Sequence, residues 1–465
     1  MATNRGEQPS LHQLAKNRSD GISILRSSRR TELMNKFRPI DCPIDSSLTL
    51  SKEEPHSHTE HSYPDTVEKA IRGDTSALLA IQTYFDSTLY FHYYFMQHNC
   101  CSSFLKQLAT QPDSYCVAVL NAFLSYTSSS EKIFSDDLVK SGFFQRTEYL
   151  LSHGEDISRR TLFVLGNLLS ESKEDADCFV ASNLCDKTFD LLRQYPSPQF
   201  LAAVVFLFKS LIRGNPDFNR KTLERIVAFF IGVLDGKCFS NDIENDVLWG
   251  FSFLSDNENN KILFDRNVIE RMYVYFEKGN KCPESVMRFF GNLVRQTDDV
   301  PTFMITHNCF KIFEIMLAER PGDIRAKNAF WTLSNLVPSL SKENAYALLK
   351  TTKLFQLSCT IVITKDYYSN VLIDVWYFIG NIVYYADMDY TKYVVALQPN
   401  ILVVVLMFLK APIGEQTLTS IYLKCLANLL KLYQINAPNF DECVEELGIA
   451  DLLDTLSVCE IFSFL

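Results

Sequence analysis

Glycine and proline are sparse here, 16 of each in 465 residues. Sandwiches, barrels and Gly-rich nucleotide folds need more turn residues than that, so helix is the expectation. The 13 cysteines are odd in number and form no C-x-x-C pair, and Cys100–Cys101 is their one close pairing. Neither a zinc ribbon nor a disulfide framework fits that spacing. Thiols scattered through apolar runs read as reduced core residues of the cytoplasm or nucleus. Apolar runs are short: Ile401–Leu409 falls well below the roughly 18 residues a bilayer crossing needs. The N-terminus is polar and basic, without the apolar stretch of a secretory signal. Catalytic signatures are missing as well: no GxxxxGK(S/T), HExxH, GxGxxG or GxSxG occurs. No enzymatic activity and no cofactor are therefore expected. His56, His58 and His61 stand together in a polar stretch without Cys, which reads as a solvated linker rather than a metal site.

What is present is apolar and aromatic material, 47% hydrophobic residues with 35 Phe and 21 Tyr. A chain of 465 residues exceeds one ordinary core, so several domains or one elongated repeat array is implied. Charge is uneven. Residues 1–40 hold eight Lys or Arg against three acids, a net +5, which leaves the remainder near −15 of the total −10. A basic arm on an acidic body argues for basic partners and against a body that binds nucleic acid. An acidic excess also serves simply as solubilising surface.

Three zones follow: the basic arm 1–40, a Ser-, Pro- and His-rich flexible linker 41–65, and a body 66–465 with helical apolar periodicity. Within the body, LFVLGNLL (162–169), LWGFSFLS (248–255), RFFGNLVR (288–295), FWTLSNLV (330–337), WYFIGNIV (376–383) and LKCLANLL (423–430) read as variants of one helix. Most carry a small residue followed by Asn. Asn167 to Asn292 spans 125 residues, three repeats, and the next intervals, to Asn335, Asn381 and Asn428, are 43, 46 and 47. That period matches HEAT and armadillo repeats. Such units bury their apolar faces only by stacking, which builds a solenoid.

At the level of individual residues the body resembles the importin-alpha family. LWGFSFLSDNENNKILFDRNVIERM (248–272), RFFGNLVRQTDD (288–299) and KNAFWTLSNL (327–336) carry the likeness, and ILRSSRRTELMNKFRPI (24–40) resembles the end of the family's importin-beta-binding arm. The likeness is strongest between about 240 and 385, weak between 66 and 140, and stops early: DECVEELGIADLL (441–453) resembles the start of the last repeat. The resemblance implies an all-α, armadillo-repeat, right-handed superhelical solenoid of about nine repeats plus a truncated last one. It also implies a nuclear import adaptor of cytoplasm and nucleus. Its partners would be Lys/Arg-rich cargo peptides, importin-beta through the arm, and the recycling exportin CAS, without direct nucleic-acid binding or membrane insertion.

Family members line their groove with Trp-x-x-x-Asn pairs. Residues i and i+4 share one helical face, aromatic faces hold the stem and attract the head of Lys or Arg, and the Asn amide clamps peptide backbone. The resemblance puts a minor groove at Arg288, Asn292, Asp298, Trp331, Asn335, Asp374, Tyr377 and Asn381. Trp331–Asn335 matches fully, Tyr377 replaces Trp, and Trp376, one position off, is expected in the core. The major groove is eroded. Phe163, Asn167 and Glu171 keep one slot; Phe206 and Ser210 lose the amide of the next; Trp249 and Phe253 follow, with Asp246 and Asp256 as flanking acids. Leu120 and Leu124 stand where the first pair is gone.

Two readings remain open beside this one. An aromatic at helical spacing is more often core than ligand site, and in-phase Asn residues also form ladders between adjacent repeats. An armadillo interaction scaffold that has lost most cargo binding is the alternative function. In the arm, Ile24, Leu25, Leu33, Met34 and Phe37 make a partial apolar face among Arg26, Arg29, Arg30, Lys36 and Arg38. Phe37 interrupts the basic cluster, so weaker self-inhibition than in a typical member is expected. A generic tail attracted to nucleic acid or membrane is the plain alternative.

Overall fold

A computed structural model describes residues 62–458 except 130, 237–239, 258–259, 298, 320–321, 365–366, 368, 385–386, 399, 412–415, 437–444 and 446. The basic arm with Arg26, Arg29, Arg30, Lys36 and Arg38, the His56–His61 cluster and Asp298 lie outside the described residues. What is described is helical throughout, with no strand among the described residues. The all-α expectation holds.

Local chemistry starts and stops the helices. Asp74 accepts from the backbone N–H of Ser76 (2.9 Å) and Ala77 (3.2 Å), and Asn219 from that of Thr222 (2.8 Å). Ser197 does the same for Phe200 at 3.0 Å, with Pro198 at the first helical position. These caps satisfy donors the first turn leaves orphaned. Sharp corners between short helices recur at Asn99, Asn267 and Asn308, with φ of 49°, 53° and 59°, and at Gly142, with φ of 100°. Asn tolerates the left-handed region because its side chain bonds locally, and Gly because it has no Cβ. Before two of these corners a histidine, His98 or His307, places Nδ1 2.9 or 2.8 Å from the carbonyl four residues back.

The described residues fall into two compact units, one up to Arg266 and one from Asn267. In the first unit five long helices stack in order, α1 (Thr75–Ser87), α2 (Asp113–Thr127), α3 (Glu155–Leu169), α4 (Pro198–Gly214) and α5 (Asn241–Leu254). In the second, α6 (Glu284–Leu293), α7 (Asp323–Leu336), α8 (Ser369–Tyr384) and α9 (Gln416–Asn436) stack likewise. Other helices fill the intervals, among them Arg220–Asp235 between α4 and α5. Each stacked helix contacts the next in its unit, as repeats that bury one another must.

Aromatics supply much of the interior. In the first unit Phe85 packs on Phe91 (5.0 Å between centroids), Phe95 (5.0 Å) and Tyr126 (5.1 Å). Fully burying such a ring contributes about 1.5–3 kcal/mol. Trp376 faces the core as expected, 5% exposed, with Phe408 at 5.4 Å and Tyr422 at 5.6 Å. The apolar helix Ile401–Lys410 buries Ile401, Val404, Val405, Leu406, Phe408 and Leu409. No single described helix is long and apolar enough to cross a membrane.

Candidate functional site: the faces of the stacked helices

In the second unit the recurring amides tie one repeat to the one before. Asn335 Nδ2 on α7 donates to the Gly291 carbonyl of α6 at 3.2 Å, and Asn381 Nδ2 on α8 donates to the Ser334 carbonyl of α7 at 2.8 Å. Thr332 Oγ1 donates to the Met287 carbonyl at 3.1 Å, and Tyr422 Oη to that of Trp376 at 2.9 Å. Asn292, Asn335 and Asn381 are 9%, 7% and 7% exposed. Of the two roles the sequence left open, a peptide clamp or a ladder between repeats, the Asn335 and Asn381 hydrogen bonds are contacts of the ladder kind. These two amides are each spent in part on a carbonyl of the preceding stacked helix.

Trp331 lies where the next helix of a stack meets the small residue of the previous one. A Cβ on Gly291 would fall 2.1 Å from the Trp331 Cζ3, so only glycine lets the indole approach the α6 backbone. The ring remains partly exposed, as does Arg288 on α6. Tyr377 and Asp374 on α8 are buried. Tyr377, expected to line a slot, is covered in this conformation. Seven of the second unit's expected residues thus lie on α6, α7 and α8, and of these Trp331 and Arg288 are partly exposed and the other five buried.

The first unit departs further. Asn167 on α3 donates Nδ2 to Thr127 Oγ1 on α2 at 3.0 Å, and Thr127 in turn bonds the Phe123 carbonyl at 2.8 Å. Phe163 is partly exposed and sits 5.3 Å from Phe206. Phe206 lies on Gly166, whose added Cβ would come 2.5 Å from the ring. Phe206 and Ser210 are 4% and 3% exposed, so the assigned slot is closed. Glu171 accepts from Ser135 Oγ at 3.0 Å. Trp249 and Phe253 pair at 5.6 Å within α5, with Trp249 buried and Asp256 exposed. Leu120 is buried and Leu124 partly exposed.

Asp246, expected to receive a peptide cation, already has one from its own chain. Lys209 Nζ donates to Asp246 Oδ1 at 2.6 Å and lies 4.5 Å from the Phe206 centroid, with its side chain 10% exposed. Sequence reasoning passed over Lys209. The signal was present: in FLFKSLIR (206–213) a lysine stands where LFVLGNLL has glycine.

Comparison with known proteins fits this architecture. Over 217 residues the chain is 23% identical to importin subunit alpha-1b of Oryza sativa subsp. japonica, covering 46% of this chain and 40% of that protein. The chain is a helical solenoid, and the likeness to that importin subunit extends over less than half of it. The match thus spans two fifths of that relative's length. In fold the chain is similar to an engineered protein, a Northeast Structural Genomics Consortium target of known crystal structure. The TM-score is 0.63 at 13% identity, over 84% of this chain and 94% of that one. No protein-family model matches the chain.

Proposed function

We propose that this solenoid is a transport adaptor of cytoplasm and nucleus that holds Lys/Arg-rich extended peptides on its second unit and docks on importin-beta through its basic arm. The observation that carries the reading is the Trp331–Asn335 pair: an indole left partly exposed over Gly291, one helical turn from an amide seated by a hydrogen bond to the same glycine. A partly exposed aromatic face attracts a cationic side chain. The −10 net charge and the basic arm fit a body that receives basic segments, its own or a partner's. The importin alpha similarity supports the same reading.

An interaction scaffold without cargo binding is the second reading, and the cover over Tyr377, Phe206 and Trp249 favours it. Two measurements separate them. Residues 1–40 are offered to importin-beta in a pull-down, and a fluorescent Lys/Arg-rich peptide is titrated against wild type and Trp331→Ala. The adaptor reading expects capture in the first and a loss of affinity of about tenfold or more in the second, the size of one cation–π contact with its charge assistance. No capture and identical titrations leave the scaffold.

A further inference from the structure

On six of the stacked helices, α3 and α5 to α9, the residue immediately before the amide position is small: Gly166, Ser252, Gly291, Ser334, Gly380 and Ala427. α2 has Phe123 there, and α4 has a charged residue, Lys209, followed by Ser210. Its ammonium sits 4.5 Å over the Phe206 ring and 2.6 Å from Asp246 Oδ1, on a side chain 10% exposed. An aromatic face, a carboxylate and shelter from water are what a peptide lysine would need to find here. All three are taken.

We propose that Lys209 is an occupant in cis: it closes the first unit's cation site to basic side chains and confines basic-peptide binding to the second unit. A peptide lysine entering would meet a like charge, and it would have to strand the Lys209 ammonium without its counter-ion in a mostly buried place. Loss of the amide at Ser210 removes the second element of recognition at the same point. This rests on the reading that the solenoid takes basic peptides, and the test separates the two.

A fluorescein-labelled Lys/Arg-rich peptide is titrated by anisotropy against the full chain. Wild type is expected to take one peptide, lost in Trp331→Ala. Lys209→Ser, in the Trp331→Ala background, is expected to regain binding by about tenfold or more, and Asp246→Asn added to it is expected to remove that gain. Lys209→Ser without any gain, while wild type still binds through Trp331, overturns the occupant and leaves the adaptor reading standing. Wild type that binds nothing, with a gain in Lys209→Ser that depends on Asp246, keeps the occupant and overturns the adaptor reading for the native chain. A readout independent of any variant's folding is pulse acetylation of wild type: Lys209 is expected to be at least about tenfold slower than the exposed Lys140, by burial and ion pairing. Equal rates at the two lysines overturn the occupant.

Discussion

Trp331 leans on Gly291 so closely that a Cβ there would lie 2.1 Å from Cζ3, 2.5 Å from Cε3 and 2.8 Å from Thr332 Oγ1. Two side chains of α7 therefore depend on one absent methyl in α6. Gly291→Ala is expected to push α7 away and to weaken both the Thr332–Met287 and Asn335–Gly291 hydrogen bonds. The cost of overpacking is about 1–3 kcal/mol, larger than the small gain in helix propensity of about 1 kcal/mol. A urea titration checks it. An unchanged midpoint would mean that the indole has room to move aside.

The ladder assigns a structural role to amides that sequence reasoning treated mainly as peptide ligands. Asn381→Ala removes the donor to the Ser334 carbonyl and Asn335→Ala the donor to that of Gly291. Each is expected to lower stability by about 0.5–1.5 kcal/mol, the net value of one such hydrogen bond. Residues acting only as peptide ligands would leave the midpoint in place and change affinity alone.

How far the sequence carried the reading depends on the kind of question. The repeat itself was legible, because small-residue–Asn pairs return at intervals that only stacked helices explain, and Trp376 was placed in the core by being one position out of phase. What a helical period cannot convey is cover. Phe206, Trp249 and Tyr377 are buried, because whether a helical position meets solvent depends on the side chains packed around it, such as Lys209 beside Phe206. The left-handed corners at Asn99, Asn267 and Asn308 were also visible as HNC, RNV and HNC. They were overlooked because one Asn in a polar turn carries little signal until several turns are superposed.

Cysteine reactivity tests the reduced-core reading directly. Among the described residues Cys178 is exposed, whereas Cys100, Cys101, Cys116, Cys185, Cys282, Cys309, Cys359 and Cys425 are buried. Burial pushes the Cys100, Cys185, Cys282 and Cys359 thiols up to about 12, and Cys101, Cys309 and Cys425 also upward. Thiolate is the reactive form. Brief labelling of the native protein with iodoacetamide at neutral pH, read by peptide mass spectrometry, should therefore mark Cys178 among these nine and spare the rest until denaturant is added. Rapid native labelling of Cys101 or Cys425 would contradict the packing around them.

Acid sensitivity is expected to trace to His92. The ring is 4% exposed and packs against Phe85 at 4.8 Å, Phe134 at 4.9 Å and Tyr126 at 5.7 Å. Burial lowers its pKa below the ordinary 6.5, against the opposing pull of the Thr88 and Ser125 carbonyls and of the Asp86 and Glu131 charges. The sign follows from proton binding: below pH 6.5 the unfolded chain takes up a proton at this site before the folded one does. His92 thus costs nothing above that pH, and stability drains away as pH falls from it toward the lower folded-state value. His92→Phe keeps an aromatic ring in the same cluster and cannot be protonated. In thermal melts followed by circular dichroism from neutral to mildly acidic pH, the wild-type midpoint should fall more steeply than that of His92→Phe. Parallel slopes would place the acid sensitivity elsewhere in the chain.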